Sequence, residues 1–457
     1  MRVLLALLLA LVGSAPLAAA APVATVEVVR DGEQWTADYR LGASAPAWLF
    51  VRSPLARVGP AEWRKASWTV LTPGVRLVRA GHYDALVADK GAVPRNVRIR
   101  FTPFTDDIET GYDAALGFSD GSVALFDQIF KVVPMASAGA VRTAPFDADL
   151  IPGIDHATRT LFRDRAGPVL AGGRRQGQAI LDDAGTYVLF GPARPTYDPA
   201  LTTVIDGKLP IWLANYLVRE MPRILAEYRD RIGPAPGGTP TLMVSWAGAK
   251  PGATSMSGSV LPGMVVMTFL GEGVLKEGAA VKNFTRGFIA HEAAHFWLGQ
   301  AVHHDRPGDN WMTEGGADLL RIRAIAAIDP TYAVAGRLRQ LRDDCAAHLA
   351  RGTLATATQR GDAKAPYNCG ALFSLIAERA YGGDFGAFVA RLIAANRGDR
   401  RLSRAEWVAA VDARRPGRRL GPMLADLVER RQANSGAALD RLIAAGGIAP
   451  LLAERRQ

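Results

Sequence analysis

Residues 291–318 read HEAAHFWLGQAVHHDRPGDNWMTEGGAD, and this stretch limits the folds open to the chain more than any other. His291 and His295 are four residues apart. In an α-helix such a pair stands about 40° apart around the axis and roughly 6 Å along it, so two imidazoles can reach one ion. Glu292, about 100° round from His291, is placed to move a proton beside that ion. Catalytic zinc takes three protein ligands and keeps a fourth position for water. Glu314, with 18 residues between it and His295, supplies the third ligand if a second helix packs beside the first. Asp318, one helical turn further on, can accept the free ring N–H of a ligating histidine and fix its tautomer. His303 and His304 fall in HHDRPGD; with three ligands in hand, they are read as surface residues of an exposed turn.

The rest of the chain must build around that helix pair. Before it, from Val23 to about Phe190, come short runs with strand chemistry: TVEVV, WTADYRL, AWLFVRS, SWTVL, NVRIRF and TYVLF. Several alternate apolar and polar side chains, and turn signals such as DG and TPG separate them, which predicts a mainly antiparallel β domain. It holds no cluster of ligand residues: His82 and His156 are single and far apart. The turn-rich stretch GPARPTYDPALTT (191–203) marks the expected boundary. Helical spacing then runs from Leu209 to Ile232, with Pro222 as a possible kink, followed by the strands TLMVSW (241–246) and MVVMTF (264–269). The motif helix is expected from about Val281, and everything beyond Glu314 reads as helices, among them Gly370–Ala380, Phe385–Ala395 and Ala405–Ala413.

The first residues have a different chemistry. Arg2 precedes an apolar run, Val3 to Val12, and small residues ending Ala18-Ala19-Ala20, the order of a secretory signal peptide cut after Ala20. The run is too short for a membrane span of roughly 20 residues, and no later stretch reaches about 18 consecutive apolar residues. A periplasmic or secreted protein without an integral membrane segment after cleavage is therefore expected. In that compartment Cys345 and Cys369 read as a disulfide, the alternative being two buried thiols. The net charge of +10 is scattered arginine without aromatic-interleaved basic motifs, so no nucleic-acid partner is expected.

HEAAHFWLGQ followed by WMTEGGA resembles the aminopeptidase-N and leukotriene-hydrolase family of gluzincins, whose helix reads H-E-x-x-H-x-W-x-G and whose third ligand sits in W-x-x-E-G. The Glu-x-x-x-Asp spacing is also similar to thermolysin. At motif level the resemblance spans about Leu209 to Gly383. It implies a multidomain fold: a signal peptide (1–20), an all-β N-terminal domain (21–200), and a thermolysin-like α+β zinc metallopeptidase catalytic domain with a helical C-terminal part (201–457). It further implies a peptide substrate, with Zn2+ on His291, His295 and Glu314 and a zinc-held water activated by Glu292. A family tyrosine that stabilises the transition state lies in P-Y-x-x-G, matched here by PYNCG with Tyr367. One motif departs. Where the family carries G-x-M-E-N, whose glutamate binds the substrate's free α-amine, this chain has MSGSVLPGMVVMTF, with Val260 and Leu261 about where Glu and Asn would fall. An apolar pair cannot neutralise an ammonium, so exopeptidase specificity does not follow. MVVMTF is expected to offer main-chain hydrogen bonds to an extended peptide instead. Two other readings stay open: a zinc hydrolase of a non-peptide substrate, and a non-catalytic binding protein retaining the fold.

Overall fold

The structure is a computed structural model describing residues 21–453 apart from 110, 416, 418 and 419, so the expected signal peptide lies outside the described residues. No helix among the described residues is long and apolar enough to cross a membrane.

The strand runs up to Phe190 fold into three sheets of six, four and five strands. Alternation explains how they pack. In Asn96–Phe101, NVRIRF, Val97, Ile99 and Phe101 point into the core while the residues between them are exposed. Ala24–Asp31 and Gln34–Leu41 form a hairpin through Gly32, whose φ of +61° suits a turn glycine. The sheet is not wholly antiparallel, because Ala24–Asp31 also pairs in parallel with Thr158–Asp164. Nor is this part purely β: five-residue helices occur at Trp63–Ser67 and Ala138–Arg142. The first of these buries Arg64 between the rings of Phe50, Trp63 and Trp68, where it pairs with Asp84.

A further five-stranded sheet carries the second half of the chain. Its order is Thr196–Tyr197, Thr202–Ile205, Thr241–Trp246, Met264–Leu270 and Ser255–Leu261, the first two lying at the turn-rich stretch 191–203. Alternate residues of these strands face opposite cores. Leu242, Val244, Val265, Met267 and Phe269 pack with the helices, whereas Met243, Leu261, Met264 and Val266 pack with the N-terminal sheets. Burial on both faces is why MVVMTF reads as an unbroken apolar run. It also corrects an expectation. Met264–Leu270 is paired on both sides and has no free edge; the edge strand is Ser255–Leu261.

Five helices then frame the site: α1 (Ile211–Ile232), α2 (Ala279–Ala294), α3 (Trp311–Ile328), α4 (Val334–Arg351) and α5 (Ala365–Ala380). α1 runs through Pro222 and buries Leu213, Leu217, Met221, Ile224 and Tyr228. Its buried Glu220 accepts from Arg286 of α2 at 2.9 Å, and Tyr228 donates to the Ala290 carbonyl at 2.7 Å, so α2 is pinned along its length. α3 and α5 cross in backbone contact at Gly315 and Gly370, where an added Cβ at either would sit 2.1 Å from the other helix's main chain.

Candidate metal centre

α2 ends on the motif. His291 is in its last turn and His295 is the C-cap residue, still in helical conformation. The chain then turns through Gly299, whose φ is +146° and where a Cβ would meet the His295 carbonyl oxygen at 3.0 Å. That turn brings the Leu298 carbonyl back to His295, whose Nδ1 lies 2.8 Å from it. The Nδ1 of His291 faces Asp318 Oδ1 at 2.9 Å. Asp318 is itself held by Arg321, which donates to both its oxygens at 3.0 Å. Each imidazole thus turns Nδ1 to a fixed acceptor, and the two Nε2 atoms face one another at 3.1 Å. Glu314 Oε2 completes the cluster at 3.2 Å from His291 Nε2 and 3.4 Å from His295 Nε2.

Three acceptor atoms within 4.8 Å of one another repel unless positive charge lies among them. In the chain by itself the histidines must supply it. Burial disfavours the His291 cation, but hydrogen bonds to Asp318 and Glu314 outweigh burial and lift its pKa to about 9. The same contacts hold Glu314 and Asp318 well below the usual carboxylate range, against burial. Two nitrogens and a carboxylate oxygen in this arrangement suit zinc, whose ligand preferences are imidazole and carboxylate.

Glu292 flanks the cluster. Burial raises its pKa, opposed by the two histidines, and the Val260 backbone N–H also faces its carboxylate. The Tyr367 ring stacks on His291 with centroids 5.2 Å apart and planes at 22°. Burial, and then the Glu314 carboxylate, push its phenol far above the ordinary value, so it keeps its proton. Tyr367 lies in the first turn of α5 rather than ahead of the helix, and the Gly315–Gly370 crossing is what brings that turn against Glu314. Cys345 and Cys369 form a disulfide between α4 and α5, two residues beyond Tyr367.

Other residues singled out from sequence are placed differently. Val260 lies on the edge strand, half-buried, with its carbonyl accepting from Tyr112 of the N-terminal part at 3.1 Å. Leu261 is turned away from the cluster: at 2% exposure it belongs to the core of the N-terminal sheets, because neighbouring strand residues face opposite sides. His303 and His304 are not an exposed turn. They form a short parallel ladder with Arg401 and Leu402, and His304 lies 3.0 Å from the Thr313 hydroxyl, next to Glu314.

A cavity of about 550 Å³ opens beside the cluster, lined among others by Phe284, Phe288, Glu292, Lys364, Tyr367 and Asn368. Phe284 and Phe288 precede Glu292 by two turns and one turn on the same face of α2, a helical repeat that sequence reasoning passed over. Hollows of about 660 and 690 Å³ on the N-terminal sheets lie away from these residues.

No family model matches this chain, and no curated protein matches it. Solved structures do. Native yeast leukotriene A4 hydrolase matches 90% of this chain and 67% of its own, with a TM-score of 0.52 and 13% identity. The yeast enzyme in complex with bestatin matches over the same shares at a TM-score of 0.51 and 14% identity. A zinc metallopeptidase of Deinococcus radiodurans matches 90% of this chain and 93% of its own, with a TM-score of 0.47 and 17% identity. The sheet-rich N-terminal part, the second sheet and the helical C-terminal part together have the fold of leukotriene A4 hydrolase, the type that the motifs around His291 and Glu314 resemble.

Proposed function

We propose that this chain is a zinc metallopeptidase with a thermolysin-like catalytic half, exported from the cytoplasm by its first twenty residues. The observation that carries the reading is the convergence of two imidazole Nε2 atoms and Glu314 Oε2, with Glu292 and Tyr367 on its flank. His291, His295 and Glu314 would hold the ion. Bound zinc supplies Lewis acidity, polarising a carbonyl and bringing the pKa of water toward about 7. Glu292 takes the proton of the attacking water and passes it to the leaving amine. Tyr367, still protonated, donates its O–H to the carbonyl oxygen as that oxygen becomes anionic. Removing one such donor typically costs about 100- to 1000-fold in rate. Ser255–Leu261 lies at the sheet edge, and away from Val260, whose carbonyl and N–H already face Tyr112 and Glu292, an extended peptide can pair with it by main-chain hydrogen bonds.

The test is to incubate the purified protein with a diverse peptide mixture containing free and N-acetylated members, with and without a chelator, and to map the cuts. Chelator-sensitive cleavage, with acetylated members among the substrates, is expected. Zinc-loaded protein that cuts nothing in the mixture would exclude peptidase activity.

A further inference from the structure

Beside Tyr367 lies a buried polar group that the proposed chemistry does not use. Asn368, only 8% exposed, lines the cavity next to Tyr367. Its Nδ2 lies 3.1 Å from Nε2 of His348, a buried histidine on α4. The other ring nitrogen of His348, Nδ1, lies 2.8 Å from Asp362 Oδ1. Arg351 Nη2, which also approaches Nδ1 at 2.5 Å, donates to Asp362 Oδ2 at 2.8 Å. Arg351 and the ring are both donors toward Asp362, which is the one acceptor between them; with the Nδ1 proton directed at that carboxylate, Nε2 is left as an acceptor and takes the Asn368 NH2 that faces it. The amide therefore has one orientation. Its Oδ1 has no partner among the described residues and is not sealed from solvent, so an acceptor is left at the cavity wall.

We infer that Asn368 determines specificity by accepting, through Oδ1, a main-chain N–H of the peptide bound in this cavity. The inference rests on the peptidase reading and narrows it to substrates with an amide donor at that point; an ester or epoxide offers none. Asp362 and His348 act through Asn368, as positioning residues. A mismatched donor or acceptor at a buried partner is strongly rejected, which is how such a contact discriminates.

The test uses the zinc-loaded Glu292→Gln protein, so that binding is read without turnover. A blocked pentapeptide, acetyl-Ala-Ala-Phe-Ala-Ala-amide, and versions N-methylated at one amide each are titrated by calorimetry. One N-methyl position should weaken binding about five- to tenfold in that background. Adding Asn368→Leu should weaken the parent peptide by the same factor and abolish the penalty at that one position. Asn368→Asp, which keeps an oxygen toward the cavity while its other oxygen faces His348 Nε2 and draws a proton onto that nitrogen, should preserve the penalty. Zinc content and unfolding midpoint, measured alongside, separate loss of the contact from loss of the fold. If the parent peptide binds but the N-methyl pattern is the same with and without Asn368→Leu, the inference is wrong and the peptidase reading stands. If no peptide in the set binds, the peptidase reading fails and takes the inference with it.

Discussion

Gly315→Ala tests how α3 and α5 position Tyr367 against Glu314. In an ordinary helix interior this change would stabilise by roughly 0.5–1 kcal/mol, because alanine loses less backbone entropy than glycine. Here the new Cβ would lie 2.1 Å from the Gly370 carbonyl carbon and 2.2 Å from its Cα, whereas ordinary contact begins at 3.4 Å. Main chain cannot swing aside as a side-chain tip can, so the helices must part by about 1.3 Å, the gap between 2.1 and 3.4 Å. Overpacking of this kind costs about 1–3 kcal/mol and outweighs the propensity gain. At roughly 2–4 °C per kcal/mol for a domain of this size, the unfolding midpoint should fall by several degrees. The larger effect is on turnover, since a misplacement of about 1 Å can cost on the order of 100-fold. Gly316→Ala is the control: its Cβ would meet Leu298 Cδ1 at 2.5 Å, the movable end of a side chain, so stability and turnover should change little. Calorimetric unfolding and peptide turnover on both variants and wild type decide the matter. A Gly315→Ala protein that melts higher than wild type and turns over peptide at the wild-type rate would refute the close crossing and its role in placing Tyr367.

Asp318→Asn keeps an acceptor near His291 Nδ1 but removes the charge that Arg321 fixes, and should weaken zinc binding roughly 10- to 100-fold in chelator competition. Unchanged affinity would mean that Asp318 does not set the imidazole's basicity. The Cys345–Cys369 bond closes a loop of separation 24, so replacing both cysteines by serine should cost roughly 3 kcal/mol in denaturant unfolding. Two alkylatable thiols in the purified protein would remove the basis for that figure. Asp127 accepts from the Gly185 and Thr186 amides, yet burial raises its pKa to about 6. A carboxyl raised in the folded state contributes stability that is full below its unfolded value, about 4, and is lost as pH rises through about 6. The rise from 3.8 to about 6 corresponds to about 3 kcal/mol, and Asp127→Asn should flatten the unfolding profile between those pH values. Parallel profiles for wild type and variant would contradict the assignment.

The motif helix was legible because His291 and His295 obey a helical period, and the β half because strands such as NVRIRF alternate sharply. What stayed hidden was set by contacts distant in sequence. Ser255–Leu261 alternates three serines with Met256, Gly258 and Val260, a set with only one good strand former, and only its pairing with Met264–Leu270 identifies it. MVVMTF has the composition of a strand, but a run of apolar residues cannot say whether its edges are free. The close approach at Gly315 and Gly370 leaves only two glycines in the sequence, each of which could equally mark flexibility. Asn368 carries no local signal at all. Its role depends on His348 and Asp362, which belong to a neighbouring helix and to the loop before α5.

The most direct test of the account is to measure bound zinc and peptide turnover together in wild type, Glu292→Gln and Glu314→Ala. Wild type should carry one zinc per chain and cleave; Glu292→Gln should keep the zinc and lose turnover; Glu314→Ala should lose both. Wild-type protein that takes up no zinc on reconstitution, or a Glu292→Gln protein with undiminished turnover, would contradict the account at its centre.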